Sequence, residues 1–295
     1  MPHVLVLASA RQNPALGNEV LRACAGIVDR QAVAAWLDEG IAAEIALPRP
    51  IDHAGLLAQI RERLGDAAID LAIVPALARR KLLLLADMDS TMIEQECIDE
   101  LAARIGLREE VSAITERAMR GEIAFEPALR ERVALFEGLP IAVIQEVLSG
   151  ITLSPGARTL VRTMRQHGAH CCLVSGGFTL FTAVIAEKLG FDEHRANRLG
   201  LRKGHLTGTI EEPILGREAK RDTLVDLRAS LGISREDVLA VGDGANDVAM
   251  LAEAAWGVAY RAKPAVAAEA DFRIEHADLS ALLYFQGYRR EEFCE

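Results

Sequence analysis

Two acidic side chains directly follow a short apolar run and could share one ligand. Residues 82–86 are uninterruptedly apolar, and Asp87 and Asp89 come immediately after them. Residues two apart in an extended chain point the same way, so both carboxylates can face the same site. Carboxylates held close together repel each other, and a divalent cation is the usual compensation. The alternative is a turn followed by a helix cap, since Asp, Ser and Thr favour both.

A second predicted buried strand ends in residues that suit an anion. Residues 170–174 are followed by Ser175 and then by Gly176 and Gly177. Glycines let the backbone approach a ligand closely, and a helix N-terminus after them would favour negative charge. The sequence therefore offers a phosphate site here, although Ser-Gly-Gly is also common in ordinary turns.

A third apolar run, residues 238–241, ends in Gly-Asp-Gly-Ala-Asn-Asp. The oxygens of Asp243 suit a hard cation such as Mg²⁺, and a capped turn is the alternative. Lys220 opens the helix predicted before this run. A lone lysine is usually solvated, but a fixed ammonium would balance the negative surplus of carboxylates and phosphate.

The elements that position these clusters indicate an α/β fold. The apolar runs are typical of strands covered on both faces, and the alternation of strands and helices predicts a doubly wound, Rossmann-like parallel sheet. Ligands bind beyond the carboxyl ends of such strands, so the three clusters should share one edge. We further predict a helical cap insert at about 96–150 and a small β flap at about 195–212.

The length of 295 residues predicts two domains. Residues 1–80 show the order βαββαβ, which indicates a small α+β ferredoxin-like domain, and residues 81–295 form the rest. Domains of this kind serve as amino-acid sensors or dimerisation units, by analogy of fold alone. The alternative is a structural appendage that binds nothing.

Composition excludes some classes of partner. The net charge of -10 argues against nucleic acid and against anionic membrane surfaces. No apolar run approaches the roughly 20 residues needed to span a bilayer. The five cysteines are dispersed, and none forms a CxxC pair. We therefore expect a reducing compartment, the cytoplasm.

Taken together, the polar clusters resemble the four motifs of the haloacid dehalogenase superfamily, in the same order along the chain: Asp87-Met88-Asp89-Ser90-Thr91, Ser175-Gly176-Gly177, Lys220 and Gly242-Asp243-Gly244-Ala245-Asn246-Asp247. Within it, residues from about 82 to 290 are most similar to the phosphoserine phosphatases. That similarity adds Glu96, Phe125 and two helical segments, Glu116-Arg117-Ala118-Met119-Arg120-Gly121 and Leu129-Arg130-Glu131-Arg132-Val133. Met88 departs from the Phe that the family often carries.

The resemblance implies Mg²⁺-dependent hydrolysis of O-phospho-L-serine, the last step of serine biosynthesis. Asp87 would be the nucleophile that forms an aspartyl-phosphate, and Asp89 the acid and base, its proton affinity raised by neighbouring carboxylates. Mg²⁺ would lie on Asp87, the Asp89 backbone carbonyl and Asp243, with Asp247 behind them. The residues expected to contact substrate are Glu96, Met119, Phe125, Arg132, Ser175, Gly176, Lys220 and Asn246.

Substrate choice is expected to lie in the cap. Glu96 suits the ammonium of a phosphoamino acid, and the planar guanidinium of Arg132 suits its carboxylate. Arg130 is the nearest rival to Arg132. The alternatives for function are another small phosphomonoester, a phosphotransferase, or an amino-acid-responsive regulatory protein. The partner is a small molecule, and the chain is expected to be a monomer or homodimer.

Overall fold

An antiparallel sheet with two helices opens the chain. The computed structural model describes residues 2–48, 52–120 and 122–295. The strand order β2-β3-β1-β4, with antiparallel neighbours throughout, is that of the predicted ferredoxin-like arrangement. Its elements are β1 (His3–Ser9), α1 (Asn18–Val28), β2 (Ala34–Asp38), β3 (Ala42–Ala46), α2 (His53–Leu64) and β4 (Ile69–Pro75).

Two insertions interrupt the alternation of strands and helices after residue 82: a group of four helices and, later, a hairpin. After β5 (Leu83–Asp87), the chain forms α3 (Cys97–Arg104), α4 (Arg108–Met119), α5 (Phe125–Ala134) and α6 (Ala142–Gly150). Together they make up the cap. It is followed by α7 (Ala157–Gln166), β6 (His170–Phe178), α8 (Thr179–Leu189), β7 (Glu193–Asn197) and the hairpin of β8 (Leu199–Arg202) and β9 (His205–Ile210).

A six-stranded parallel sheet, in the order β12-β11-β10-β5-β6-β7, carries the polar clusters. This confirms the predicted α/β class. Ala86 of β5 pairs with Val241 of β10, and Asp87 pairs with Val174 of β6, so the three clusters leave the sheet at the same edge. The remaining elements are α9 (Arg217–Leu231), β10 (Val238–Gly242), α10 (Val248–Glu253), β11 (Trp256–Tyr260), α11 (Pro264–Glu269), β12 (Phe272–Ile274) and α12 (Ala281–Phe285).

The hairpin is joined to the cap by main-chain hydrogen bonds. Leu206 N–H donates to Leu139 O at 2.8 Å, Gly138 N–H donates to Leu206 O at 2.9 Å, and Ile141 N–H donates to Gly204 O at 2.9 Å. Gly208 of β9 has φ +70°, and an added Cβ would lie 2.9 Å from Glu137 Cβ. The close approach of β9 to the end of α5 therefore depends on glycine.

Two element boundaries differ from the sequence prediction. α9 begins at Arg217, so Lys220 lies within its first turn and does not open it. β6 continues to Phe178 with a register shift after Val174, and α8 begins only at Thr179. Ser175 therefore lies in an irregular strand end, not at a helix N-terminus. Among the described residues, no helix combines the length and apolar character that a membrane crossing requires.

The two sheets share apolar packing. Along β1, Leu5 and Leu7 belong to the core under α1 and α2, whereas Val4 and Val6 face the other way into a core shared with α12. Both faces of this strand are buried, which explains its continuous apolar sequence. Tyr284 of α12 donates its hydroxyl to Asp38 of β2 at 2.6 Å.

A buried carboxylate at the junction of the two sheets links the first sheet to a loop of the second. Asp70 of β4 is 4% exposed and accepts backbone hydrogen bonds from residues after β12: Glu275 at 3.0 Å, His276 at 3.1 Å and Ala277 at 2.8 Å. No other part of the first sheet offers an acceptor to these three donors in the described chain. A loop of the second sheet thus depends on a side chain of the first.

Asp70→Ala should lower the free energy of unfolding by about 2–4 kcal/mol, because three backbone N–H groups lose their acceptor in a buried place. Urea unfolding measures the loss. The matched control is Asp29→Ala, which removes an exposed carboxylate that accepts from Gln31 N–H at 2.7 Å and should cost under about 1 kcal/mol. Equal losses in the two variants would contradict a stabilising role for the junction.

Candidate active site

A buried lysine links two carboxylates at the edge of the parallel sheet. Lys220 Nζ lies 2.5 Å from Asp87 Oδ1 and 2.6 Å from Asp247 Oδ1. The three residues are at most 5% exposed. Asp87 comes from the end of β5, Lys220 from the first turn of α9, and Asp247 from the loop after β10. Residues up to 160 positions apart in sequence therefore meet at one point, as the parallel sheet predicts.

Burial and the mutual charges of these residues act on their protonation in opposite ways. Burial, followed by the charge of Asp247, raises the pKa of Asp87 well above its usual range. Burial by itself lowers the pKa of Lys220, but the charges of Asp87 and Asp247 outweigh it and the net shift is upward. The lysine is thus held as a cation between Asp87 and Asp247, which is the charge state that an anionic ligand needs.

Asp89 is held by two hydrogen bonds in a tight turn. The turn of residues 88–92 has Ser90 in the left-handed region at φ +56°. Asp89 Oδ1 accepts from Cys97 N–H at 2.8 Å, and Asp89 Oδ2 accepts from Ser175 Oγ at 3.1 Å. Burial raises the pKa of Asp89, in the predicted direction. The main cause is desolvation, not the neighbouring carboxylates that sequence reasoning invoked.

The Ser175 loop is fixed from both sides. Gly177 N–H donates to Ser175 Oγ at 2.8 Å, and Asn197 Nδ2 donates to Gly176 O at 2.9 Å. A Cβ added at Gly177 would lie 3.0 Å from Ser175 Oγ and 3.3 Å from Asp89 Oδ2. The second glycine therefore leaves room for the serine and the acid to meet.

Acidic oxygens gather next to this loop. One carboxylate oxygen from each of Asp87, Asp243 and Asp247 lies within 4.8 Å of the others. Asp243 Oδ1 accepts from Thr91 Oγ1 at 2.9 Å, and burial raises the pKa of Asp243 to about 6. Asp247 Oδ2 accepts from the backbone N–H groups of Asp243 and Gly244, at 3.1 and 3.0 Å. Hard oxygen donors at this spacing suit a divalent cation.

Glu96, which is exposed at the start of the cap, and Arg132, which is half-buried on α5, lie close enough for the charge of Glu96 to act on Arg132. Ser90 Oγ donates to Glu96 Oε1 at 2.6 Å, and burial, followed by the charge of Asp89, raises the pKa of Glu96 to about 7. Burial lowers the pKa of Arg132, opposed by the charges of Asp99 and Glu96. Its Nε donates to Ala128 O at 3.3 Å. The pocket thus holds one acidic and one basic group beyond Asp89.

Arg130 lies elsewhere. Its guanidinium is exposed and pairs with Glu212, on the segment that follows the hairpin. The structure thereby separates the two arginines that the sequence left as rivals.

The other predicted substrate residues vary in position. Phe125, at the start of α5, lies over the Ser175 loop: a Cβ added at Gly176 would lie 3.6 Å from Phe125 Cζ. Asn246 Oδ1 would lie 2.4 Å from a Cβ added at Gly244, so the amide of Asn246 folds back over its own loop, the one that follows β10. The side chain of Met119 and the whole of Gly121 lie outside the described residues.

The model of the haloacid dehalogenase-like hydrolases matches residues 84–252, more than half of the chain. The chain belongs to the haloacid dehalogenase-like hydrolase family. This confirms the resemblance carried by the four motifs and the prediction of a hydrolase. The match begins in β5 and ends in α10, so it spans every residue of the site described above.

Relatives of this hydrolase are phosphoserine phosphatases by name. The protein of Archaeoglobus fulgidus is 43% identical over 231 residues, which cover 76% of this chain and 67% of the relative. SerB2 of Mycobacterium tuberculosis is 44% identical over 214 residues, which cover 72% of this chain but only 52% of the relative. The solved structure of a probable phosphoserine phosphatase of Vibrio cholerae superposes on this chain with a TM-score of 0.80 and 31% identity. The superposition covers 99% of this chain and 88% of the Vibrio cholerae chain.

Sequence reasoning missed two polar side chains of the site. Thr91 was treated only as part of a motif, yet it holds Asp243. Asn197 was assigned no role, yet it is 1% exposed and contacts the Ser175 loop. Nothing in the sequence marked Asn197, because its burial, and with it the need of its amide for partners, is visible only once the fold is known.

Proposed function

We propose that this protein hydrolyses O-phospho-L-serine to L-serine and phosphate in a Mg²⁺-dependent reaction, the last step of serine biosynthesis. The observation that carries the proposal is the arrangement of the pocket. Asp87, Asp89, Ser175 and Lys220 surround one point, and an acid and a base stand beyond it. A phosphate at that point leaves Glu96 and Arg132 for the ammonium and carboxylate of an amino acid.

In this proposal Asp87 attacks phosphorus in line and forms an aspartyl-phosphate. A carboxylate is a weak nucleophile, but a loose phosphoryl transition state asks mainly for positioning and charge balance. Lys220 supplies the charge, since its ammonium already lies 2.5 Å from Asp87 Oδ1. Ser175 and the backbone at Gly176 bind the phosphoryl oxygens, and Asn246 steadies that pocket.

Asp89 protonates the departing serine oxygen and afterwards accepts a proton from the attacking water. Its burial favours the protonated form that the first step requires. The hydrogen bonds from Cys97 N–H and Ser175 Oγ fix the direction in which the carboxyl group points. Asp89 is therefore the acid and base of the proposed cycle.

The carboxylates of Asp87 and Asp243 and the backbone carbonyl of Asp89 would hold the Mg²⁺. When bound, the cation neutralises charge on the transferring phosphoryl group. Both oxygens of Asp247 already accept hydrogen bonds from Lys220 and from the backbone of the loop. We therefore assign Asp247 to holding Lys220 and that loop in place.

We also propose a division of the chain into an N-terminal domain, residues 1–80, and a phosphatase, residues 81–295. The cytoplasm is the proposed location. The five cysteines are unpaired, which fits a reducing compartment.

The decisive test measures phosphate release from O-phospho-L-serine, O-phospho-L-threonine and an aryl phosphate, with Mg²⁺ and after EDTA. Phosphoserine should give the highest kcat/KM, EDTA should remove the activity, and added Mg²⁺ should restore it. A higher kcat/KM for either of the other esters would overturn the proposed substrate. Activity that survives EDTA would overturn the proposed metal.

Arg132→Ala should lower kcat/KM for phosphoserine by about 100-fold, because a charged, bidentate contact to the substrate carboxylate is lost. O-Phosphoethanolamine keeps the phosphate and the ammonium but lacks that carboxylate. Its kcat/KM should change by less than about threefold. Initial rates on both esters give the comparison.

The matched control is Arg130→Ala, two residues away on the same helix. Its guanidinium pairs with Glu212 at the surface, so neither ester should be affected. Equal losses on phosphoserine and phosphoethanolamine in Arg132→Ala would remove Arg132 from substrate recognition.

A further inference from the structure

Asn197 is the last residue of β7 and lies behind the Ser175 loop, outside all four family motifs. It is 1% exposed, so its amide must find its partners within the protein. Nδ2 donates to Gly176 O at 2.9 Å and to Leu215 O at 3.3 Å, and Oδ1 accepts from Leu215 N–H at 2.7 Å. Because Nδ2 faces two carbonyl oxygens and Oδ1 faces an N–H group, only one orientation of the amide satisfies all three hydrogen bonds.

The two segments that Asn197 joins carry different parts of the site. Gly176 belongs to the Ser175 loop. Leu215 stands directly before Gly216, the N-cap of α9, and the first turn of that helix carries Lys220. No other side chain in the described residues hydrogen-bonds to both segments. The side-chain hydrogen bonds that join the two segments therefore all come from one amide.

The contact at Gly176 extends to Asp89 through a chain of hydrogen bonds. The peptide group whose carbonyl accepts from Asn197 also contains Gly177 N–H, which donates to Ser175 Oγ at 2.8 Å. Ser175 Oγ in turn donates to Asp89 Oδ2 at 3.1 Å. Each group in such a chain acts as both donor and acceptor, so the chain fixes the orientation of all its members.

We propose that Asn197 is a positioning residue for phosphate binding, which holds the Ser175 loop and the start of α9 at the separation that a phosphoryl group requires. This inference rests on the proposed function. Asn197 lies behind the loop and would not contact the substrate. Its loss should leave the amino-acid end of the pocket, at Glu96 and Arg132, unchanged.

Product inhibition separates the two ends of the pocket. In Asn197→Ala, the inhibition constant of inorganic phosphate should rise about tenfold or more, as expected for a lost orienting hydrogen bond. KM for phosphoserine should rise in parallel, whereas the inhibition constant of L-serine should stay within about twofold. A merely structural defect would reduce the active fraction and kcat, and would leave both inhibition constants unchanged.

Asn197→Asp is the second variant, because it keeps the shape and the acceptor for Leu215 N–H while replacing the donor to Gly176 O by an oxygen. It should weaken phosphate binding at least as much as Asn197→Ala. The control is Thr182→Val on α8, which removes the hydrogen bond between Thr182 Oγ1 and His194 Nδ1, 2.9 Å apart; His194 lies on the same strand as Asn197. Both of its inhibition constants should match those of the wild type.

An unchanged phosphate inhibition constant in a folded Asn197→Ala or Asn197→Asp protein overturns the inference. So does an equal weakening of phosphate and serine. The phosphate measurement also works with an aryl phosphate as substrate. A wild-type protein that cleaves the aryl phosphate but not phosphoserine would refute the proposed substrate and still permit the test of Asn197.

Discussion

Asp87→Asn should lower phosphate release from phosphoserine by at least about 10⁴-fold while the protein stays folded. The amide has nearly the same shape as the carboxylate and can still accept from Lys220, but it cannot form an acyl phosphate. Initial rates and circular dichroism measure activity and fold. Mass spectrometry of each preparation excludes deamidation of the new asparagine back to aspartate.

Asp192→Asn is the matched control for this change. Asp192 accepts from Cys171 N–H at 2.8 Å and pairs with Arg165 at 2.6 Å, at the opposite end of β6. The same chemical replacement there should leave kcat/KM within about threefold of the wild type. Near wild-type activity in Asp87→Asn would end the proposal of an aspartyl-phosphate mechanism.

Lys220→Met should cost both activity and stability. The buried carboxylates of Asp87 and Asp247 lose their shared cation, and removing one partner of a buried ion pair costs about 3–5 kcal/mol. The loss of a fixed charge at the phosphoryl group should lower kcat/KM by about 10²–10³-fold. Urea unfolding and initial rates give the two effects.

Magnesium provides a further readout of the same variant. A divalent cation bound beside Asp87, as proposed, would supply part of the missing positive charge, so Mg²⁺ should stabilise Lys220→Met more than it stabilises the wild type. Lys188→Met, at the exposed end of α8, should change neither stability nor activity. A Lys220→Met protein with wild-type stability without metal would contradict the charge balance described here.

The meeting of Asp87, Ser175 and Asp243 was predictable because it follows from topology. Apolar runs without alternation indicate strands buried on both faces. Such strands run parallel, so the ligand-binding residues that follow their carboxyl ends lie at one edge of the sheet. The assignment needs only the position where each run stops. Lys220 followed from the charge that these clusters leave unbalanced.

Side-chain direction on helices was not predictable to the same degree. Residues two apart on a helix point about 200° apart, so only one of Arg130 and Arg132 can face the pocket. Choosing between them requires the orientation of α5 about its axis, which depends on contacts with β9. The pattern of local residues does not contain that information.

Hydrogen bonds between distant segments escaped the sequence altogether. Asn197 and Gly176 are 21 residues apart, and Thr91 and Asp243 are 152 apart. Neither pair leaves a periodic signal, because a single amide or hydroxyl serves a single partner. The end of β6 was misjudged for a related reason: glycines normally end a strand, but here the strand continues past them to Phe178.

The hydrogen-bonded contact between the hairpin and the cap limits how the pocket can open. Two connecting segments of the cap meet at an isolated antiparallel bridge between Ile93 and Leu153, and the two ends of the hairpin meet where Glu211 N–H donates to Arg198 O at 2.9 Å. A cap that rotated about the bridge between Ile93 and Leu153 alone would break the three backbone hydrogen bonds donated by Leu206, Gly138 and Ile141. Product release without that loss would therefore require the cap and the hairpin to move together as one unit.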